Sequence, residues 1–160
     1  MYGSSYGGYM TLMSLSDADA DNVFGVGVSS APVTDWKYYD TIYTERYMGT
    51  PQDNAEGYRT GSVFQRVATL KEKKLLLAHG TGDDNVHFQN SVELINAMIA
   101  DGNQDFDVAI YPNRQHSISE NGARPHLYRH INRFLKEHLP SGAPAPPRSA
   151  ANATRAQKRS

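Results

Sequence analysis

The chain contains no cysteine, which excludes a disulfide framework and a metal site built on thiolates. It also lacks any run of about eighteen apolar residues, the length that a membrane-spanning helix requires. Its 16 basic and 17 acidic side chains give a formal net charge of −1, without the basic excess typical of nucleic-acid-binding proteins. The composition therefore predicts an ordinary globular domain, with no contact to nucleic acid or membrane from this segment.

The first residues of the chain contain a pattern with chemical meaning. Gly3, Ser5 and Gly7 form Gly-x-Ser-x-Gly, which is typical of the nucleophile elbow, a sharp strand-to-helix turn that exposes a serine hydroxyl. The serine of such a turn is strained, and glycines two residues before and after it let strand and helix approach each other. The N–H of Tyr6 would then lie at a helix N-terminus and could donate to an oxyanion.

The segments that follow alternate between strand and helix patterns, which predicts an α/β architecture. Continuous apolar runs typical of buried parallel strands cover residues 23–29, 73–80 and 106–111. Helical patterns cover residues 9–15, 62–70, 88–100 and 125–139.

Two expectations concern how these elements pack. In the helix over 88–100, Val92, Ile95 and Ile99 are predicted to form the buried face. Because only Met1 and Tyr2 precede the elbow, we expect a sheet of three strands in which residues 23–28 form an exposed edge.

An aromatic segment follows the first of these strands. Tyr39, Tyr43 and Tyr47 are spaced by four residues, so a helix would place them on one face, close to Trp36. Such a stripe most often packs in a core. A row of tyrosine hydroxyls beside the carboxyl end of a strand also suits a ligand pocket, and the sequence leaves both interpretations open.

A serine, an acid and a histidine occur in order at the ends of predicted strands. Ser5 lies on the elbow, Asp83 and Asp84 follow the strand over 73–80, and His116 follows the strand over 106–111. Functional groups of open α/β sheets collect at the carboxyl ends of the strands, and α/β-hydrolases use the order Ser, Asp, His. The histidine takes the proton of the serine and the carboxylate orients the histidine. Spacing alone does not distinguish Asp83 from Asp84.

The remaining histidines favour structural roles. His79 ends a strand and is predicted to be a buried hydrogen-bonding residue, whereas His87 begins a helix close to the acids. His126 and His130 have a spacing that can bind zinc, but the glutamate of the metalloprotease motif does not follow His126, so no metal site is predicted.

Three motifs together resemble a known family. Residues 2–9 resemble the nucleophile motif of the prolyl oligopeptidase (S9) family of serine peptidases. Residues 33–49 and 79–88 are similar to two longer motifs of its dipeptidyl peptidase IV branch. The resemblance extends over about residues 2–139 and implies the C-terminal portion of an α/β-hydrolase fold, a parallel sheet flanked by helices that begins at the nucleophile elbow.

The resemblance implies roles for individual residues. Ser5 matches the nucleophile, Asp83 rather than Asp84 the orienting acid, His116 the general base and Tyr6 the oxyanion donor. Substrate contacts around a small pocket for proline or alanine are implied for Val33, Trp36, Tyr39, Tyr43, Asn85 and Val86. The implied activity is release of X-Pro or X-Ala dipeptides from peptide N-termini, through an acyl-enzyme and without a cofactor.

The chain also departs from the family pattern. Ser4 stands where this branch commonly has tryptophan. Members are long chains with a β-propeller before the hydrolase domain, so we expect residues 1–139 to be the C-terminal part of a catalytic domain, inactive and poorly stable alone. Residues 140–160, rich in Pro, Ala, Ser and Arg, predict a disordered basic tail.

Two other functions remain as alternatives. One is a related peptidase or esterase that acts on acylated amino acids, against which the motifs around Tyr39, Tyr43 and Asn85 argue. The other is a non-catalytic binding module, whose usual mark is a lost triad residue. The resemblance further implies a possible homodimer through the helix over 125–139. The compartment stays open, because relatives are variously membrane-anchored, secreted or periplasmic.

Overall fold

The computed structural model describes residues 1–18 and 23–139; the predicted tail over 140–160 lies outside them. The strands of this part are β1 (Tyr2–Ser4), β2 (Val26–Ser30), β3 (Lys74–Gly80) and β4 (Phe106–Tyr111). Its α-helices are α1 (Tyr6–Leu15), α2 (Thr41–Met48), α3 (Ala55–Thr60), α4 (Gln89–Ala100) and α5 (Ala123–His138). In the same part of the chain, 3-10 helices cover Trp36–Tyr38 and Val63–Leu70.

All four strands are parallel and lie in the order β1-β2-β3-β4. The expectation of three strands with β2 at the edge is therefore wrong. Tyr2 pairs with Val28 and Ser4 with Ser30, and the N–H of Val28 donates to the carbonyl of Met1 at 2.8 Å. Three residues suffice for β1 because β2 offers it a complete row of backbone donors and acceptors.

Helices cover both faces of the sheet, which confirms the predicted α/β architecture. Successive side chains of a strand point to opposite faces, so Leu75 and Leu77 of β3 pack on one side and Leu76 and Ala78 on the other. The first face is covered by α1, α4 and the 3-10 helix over Val63–Leu70, and the second by α5. No helix among residues 1–18 and 23–139 is long and apolar enough to cross a membrane.

The buried face of α4 differs from the prediction. Of the three predicted residues, Ile95 packs against the core. Val92 and Ile99 are 43% and 62% exposed, whereas Leu94 and Met98 are fully buried. Asn90 and Ser91 are buried beside them and hydrogen-bond to Thr34 and His79, respectively. The apolar pattern misidentified the buried face because two buried positions, Asn90 and Ser91, hold polar residues that have internal hydrogen-bond partners.

Candidate active site

Ser5 occupies a strained turn between β1 and α1. Its backbone has φ 59° and ψ −123°, a conformation that a residue with a side chain rarely adopts. Its N–H donates to the carbonyl of Ser30 at 2.9 Å, and its carbonyl accepts from the N–H of Tyr9 at 3.1 Å. These bonds connect the turn to the carboxyl end of β2 and to the first turn of α1, which gives it the geometry of a nucleophile elbow.

Two glycines allow this close packing. A Cβ at Gly3 would overlap the carbonyl of Gly7, and a Cβ at Gly8 would lie 3.0 Å from the carbonyl oxygen of Ser30. A Cβ at Gly7 would meet no atom within 4 Å among the described residues. The expectation that Gly7 must lack a side chain is therefore wrong for this part of the chain, where Gly8 allows α1 to approach β2.

The side chains of Asp83 and His116 meet beyond the ends of β3 and β4. His116 Nδ1 lies 2.8 Å from Asp83 Oδ2. Asp83 is buried and the side chain of His116 is 27% exposed, whereas the neighbouring Asp84 is exposed and makes no such contact. The structure therefore separates the two acids that sequence spacing left equivalent.

Backbone hydrogen bonds join the loop after β3, which carries Asp83, to the end of β4 and the following loop, which carries His116. The N–H of Thr81 donates to Tyr111 O at 3.0 Å, and the N–H of Gly82 donates to Arg114 O at 3.1 Å. A Cβ at Gly80 would overlap Arg114 O, so the backbones approach as closely as they do only because residue 80 is glycine. This contact places the loop that carries His116 beside Asp83.

The far side of the His116 loop is anchored in the core. Ile118 is 1% exposed and packs with Ala123 and Leu127 of α5. Its φ of 45° is unusual for a β-branched residue. The burial of this side chain keeps the loop in a strained conformation two residues from His116.

Hydrogen bonds hold Asp83 in its ionised form. Burial by itself raises the pKa of this carboxyl group. Donors from His116, His79 and the backbone N–H of Asn85 outweigh that effect and hold the pKa of Asp83 well below its usual range. The N–H groups of Asn85 and Val86 both donate to Asp83 Oδ1 at 3.0 Å. Asp83 therefore presents a fixed negative charge to His116.

Ser5 lies at the same edge of the sheet as Asp83 and His116. It follows the end of β1, two strands away from β3, in the order β1-β2-β3-β4. Within the described residues no hydrogen bond joins its hydroxyl to His116. The N–H of Tyr6 is the first of α1, a position that helix geometry leaves without an intrahelical acceptor.

An aromatic cavity of about 430 Å³ begins next to the elbow. No charged side chain is among its lining residues, which are Tyr6, Tyr9, Trp36, Tyr43, Thr44, Tyr47, Met48 and Gly61. The rings of Trp36 and Tyr43 stack at 6.2 Å between centroids, and Tyr9 meets Trp36 edge-on at 5.0 Å. The shape and polarity of the cavity suit a compact apolar group.

The other residues with predicted substrate contacts surround this cavity without lining it. Val33 and Val86 are 2% and 0% exposed and belong to the core. The hydroxyl of Tyr39 donates to Asn85 Oδ1 at 3.0 Å. Burial, followed by the negative charge of Asp40, raises the pKa of Tyr39, which keeps this hydroxyl protonated. The side-chain carbonyl of Asn85 thus faces Tyr39. Its NH2 group has no partner among the described residues and can donate to a ligand.

Sequence analysis missed four residues that line the cavity. Tyr9, Thr44 and Met48 lie on α1 and α2, and Gly61 accepts a hydrogen bond from the hydroxyl of Tyr9 at 2.9 Å. The Gly-x-Ser-x-Gly-Gly-Tyr pattern includes Tyr9, but nothing in its spacing shows that the tyrosine turns toward Trp36. No group of three or more potential ligands could hold a metal ion in the described part of the chain.

A parallel sheet flanked by helices, with an elbow serine, an acid and a histidine along its carboxyl edge, defines the α/β-hydrolase class. The family model described as the prolyl oligopeptidase family matches residues 1–142. The chain therefore belongs to the prolyl oligopeptidase family.

Its relatives confirm the resemblance to the dipeptidyl peptidase IV branch. Dipeptidyl peptidase 4 of Sus scrofa is 46% identical over 139 residues, which cover 86% of this chain and 18% of that protein. Dipeptidyl aminopeptidase B of Saccharomyces cerevisiae is 48% identical over 123 residues, 77% of this chain and 15% of that protein. The crystal structure of Porphyromonas gingivalis dipeptidyl peptidase 4 matches with a TM-score of 0.81 and 43% identity, over 86% of this chain and 19% of that one. The chain spans less than a fifth of the length of these relatives.

Proposed function

We propose that this chain provides the catalytic residues of a serine exopeptidase that releases N-terminal dipeptides with proline or alanine at the second position. The observation that carries the proposal is the 2.8 Å contact between His116 Nδ1 and the ionised Asp83, at the sheet edge where the elbow presents Ser5. Membership of the prolyl oligopeptidase family, with relatives named dipeptidyl peptidases, supports it.

The reaction starts at the hydroxyl of Ser5. Oγ attacks the carbonyl carbon of the substrate's second residue while His116 Nε2 accepts the hydroxyl proton. Asp83 holds the ring by Nδ1–H and stabilises its positive charge. The N–H of Tyr6 donates to the oxyanion that forms. His116 then protonates the departing amine as the C–N bond breaks. This leaves the dipeptide esterified to Ser5, and a water activated by His116 hydrolyses the ester.

The cavity supports a preference for small apolar residues. Its aromatic walls suit the ring of proline or the methyl group of alanine, and no charged side chain lines it to select a basic residue. The NH2 group of Asn85, oriented by Tyr39, is assigned to a substrate carbonyl. A site that hydrogen-bonds its substrate rejects analogues that cannot form the same bond.

We expect the 160-residue chain to be weakly active at most when it is isolated. Oxyanion holes of α/β-hydrolases combine two donors, and only one, the N–H of Tyr6, is assigned within these 160 residues. Loss of one donor from an oxyanion hole costs about 2.7–4 kcal/mol, or about 10²–10³ in rate. The proposed activity is therefore best measured on the full-length product of the gene, whatever its length.

The test compares two chromogenic substrates on the full-length gene product. We expect hydrolysis of a Gly-Pro substrate with a free amino terminus and little hydrolysis of an N-acylated amino acid substrate. Ser5→Ala should abolish turnover. Ser4→Ala is the matched control, because Ser4 is the exposed neighbour in β1 and should leave the rate unchanged. Preference for the acylated substrate would contradict the assigned specificity, and equal activity of Ser5→Ala would contradict the assigned nucleophile.

A further inference from the structure

A second histidine contacts the carboxylate oxygen that His116 uses. His79 Nε2 lies 3.1 Å from Asp83 Oδ2 and 2.8 Å from the carbonyl oxygen of Val86. Its other ring nitrogen, Nδ1, lies 2.7 Å from Ser91 Oγ. His79 is 2% exposed, so these protein groups are its hydrogen-bonding environment in place of water.

These partners define which nitrogen of His79 carries the hydrogen. An ionised carboxylate and a backbone carbonyl can only accept, so Nε2 must donate to both of them. Ser91 Oγ can donate its hydrogen to Nδ1. A neutral ring protonated on Nε2 therefore satisfies all three partners without placing a second charge beside Asp83. The ring of Phe88 packs edge-on against that of His79 at 5.5 Å and limits its rotation.

The two histidines reach Asp83 from elements of different rigidity. His79 belongs to β3, the strand that pairs with both β2 and β4, whereas His116 lies on a loop and is partly exposed. Independently of His116, the carboxylate is thus held at Oδ1 by the backbone N–H groups of Asn85 and Val86 and at Oδ2 by His79. Asp83 can orient His116 only if its own Oδ2 stays fixed.

We propose that His79 is a positioning residue, which fixes Oδ2 of Asp83 in the direction of His116 and is itself oriented by Ser91. This inference rests on the proposed function of Asp83 and His116. Without the Nε2–H donor, Oδ2 follows the movements of the His116 loop, and the ring loses its fixed direction toward Ser5. A displacement of about 1 Å in a reacting group can cost about 10²-fold in rate.

The test compares three variants of the full-length gene product. His79→Leu fills the position with an apolar side chain and removes both ring nitrogens. His79→Gln keeps an N–H donor that can reach the position of Nε2. Ser91→Ala removes only the partner of His79 Nδ1. It is the milder change, and it tests the inference if the leucine variant does not fold. The readouts are the rate of reaction with a fluorophosphonate probe and the low-field proton resonance of His116 Nδ1–H in the NMR spectrum, which His116→Gln identifies. Thermal melting checks that each variant is folded.

We expect His79→Leu to react about 10²-fold more slowly and to lose the low-field resonance through faster exchange with water. His79→Gln should recover both to within about tenfold of wild type, and Ser91→Ala should broaden the resonance with a smaller loss of rate. A folded leucine variant that keeps the wild-type resonance and rate would overturn the inference. So would a glutamine variant as impaired as the leucine variant, since a merely structural role does not depend on the donor.

The failure of the proposed function has a different signature. A wild-type protein that does not react with the probe, or a Ser5→Ala variant that reacts equally well, contradicts the assigned nucleophile. The NMR resonance requires no turnover, so it still reports whether His79 fixes the contact between Asp83 and His116.

Discussion

Replacing Gly80 by alanine tests whether the close approach of β3 to the following loop positions His116. A Cβ at residue 80 would overlap the carbonyl oxygen of Arg114, which itself accepts the hydrogen bond from Gly82 N–H. The loop carbonyl belongs to the backbone and cannot rotate away, so the segment that carries His116 must retreat by roughly 1 Å. A displacement of that size costs about 10²-fold in rate, and overpacking costs about 1–3 kcal/mol of stability.

Gly82→Ala is the matched control for this substitution. Its Cβ would lie 3.3 Å from the carbonyl carbon of Asn113 and 3.5 Å from Arg114 O, contacts that small shifts can accommodate. Neither Gly80 nor Gly82 has a positive φ, so alanine is compatible with both backbones. The two variants thus make the same chemical change in the same loop but differ in how far the loop must move.

The assay is the rate of reaction with a fluorophosphonate, measured on the full-length gene product well below the melting temperature. We expect Gly80→Ala to react about 10²-fold more slowly and Gly82→Ala within about threefold of wild type. Melting curves show whether each variant is folded at the assay temperature. Equal rates for a folded Gly80→Ala variant and the wild type would refute the argument that this contact positions His116.

Three further predictions follow from the site. Asp83→Asn should lower the turnover number by about 10³–10⁴-fold, whereas Asp84→Asn, at an exposed position without a contact to His116, should leave it unchanged in a steady-state assay. Because the folded-state pKa of Asp83 is depressed, its ionised form stabilises the fold fully above the unfolded-state pKa of about 3.9. The difference in unfolding free energy between wild type and Asp83→Asn, measured by chemical denaturation, should therefore shrink as the pH falls below about 4. A difference that grows over this range would contradict a depressed pKa of Asp83. Tyr39→Phe should raise KM about two- to fivefold without lowering kcat, because Asn85 loses the partner that orients it.

The architecture and the positions of the proposed catalytic residues at the sheet edge could be predicted because strong local patterns carry them. The runs over 73–80 and 106–111 closely match β3 and β4, and the elbow pattern places Ser5 between β1 and α1. Parallel strands end at the same edge, so the order of Ser5, Asp83 and His116 along the chain brings them to that edge.

The details that sequence analysis missed depend on contacts between distant segments. β1 has three residues, too few to show a strand pattern of its own, and it forms because β2 presents backbone groups to it. Asn90 and Ser91 are buried because Thr34 and His79 offer them partners from other elements. A count of apolar residues along one helix cannot include such partners, so it assigned Val92 and Ile99 to the buried face of α4 in place of Leu94 and Met98.

The roles of individual cavity residues were similarly beyond local patterns. Trp36 and Tyr43 line the cavity, which is one of the two interpretations that the aromatic pattern left open, but Val33 and Val86 lie in the core beneath it. A valine at the end of a strand or in a loop looks the same in sequence whether it faces a ligand or supports the wall from behind. Only the packing of the surrounding rings distinguishes these positions.

The most direct test of the proposed function is to identify the residue that a fluorophosphonate modifies. The full-length gene product is labelled, digested and mapped by mass spectrometry, with Ser5→Ala and Asp83→Asn as comparisons. We expect a single adduct on Ser5, absent in Ser5→Ala and formed far more slowly in Asp83→Asn. Labelling of Ser4 or of a serine elsewhere, or labelling of Ser5 at the same rate in Asp83→Asn, would contradict a site in which Asp83 and His116 activate Ser5.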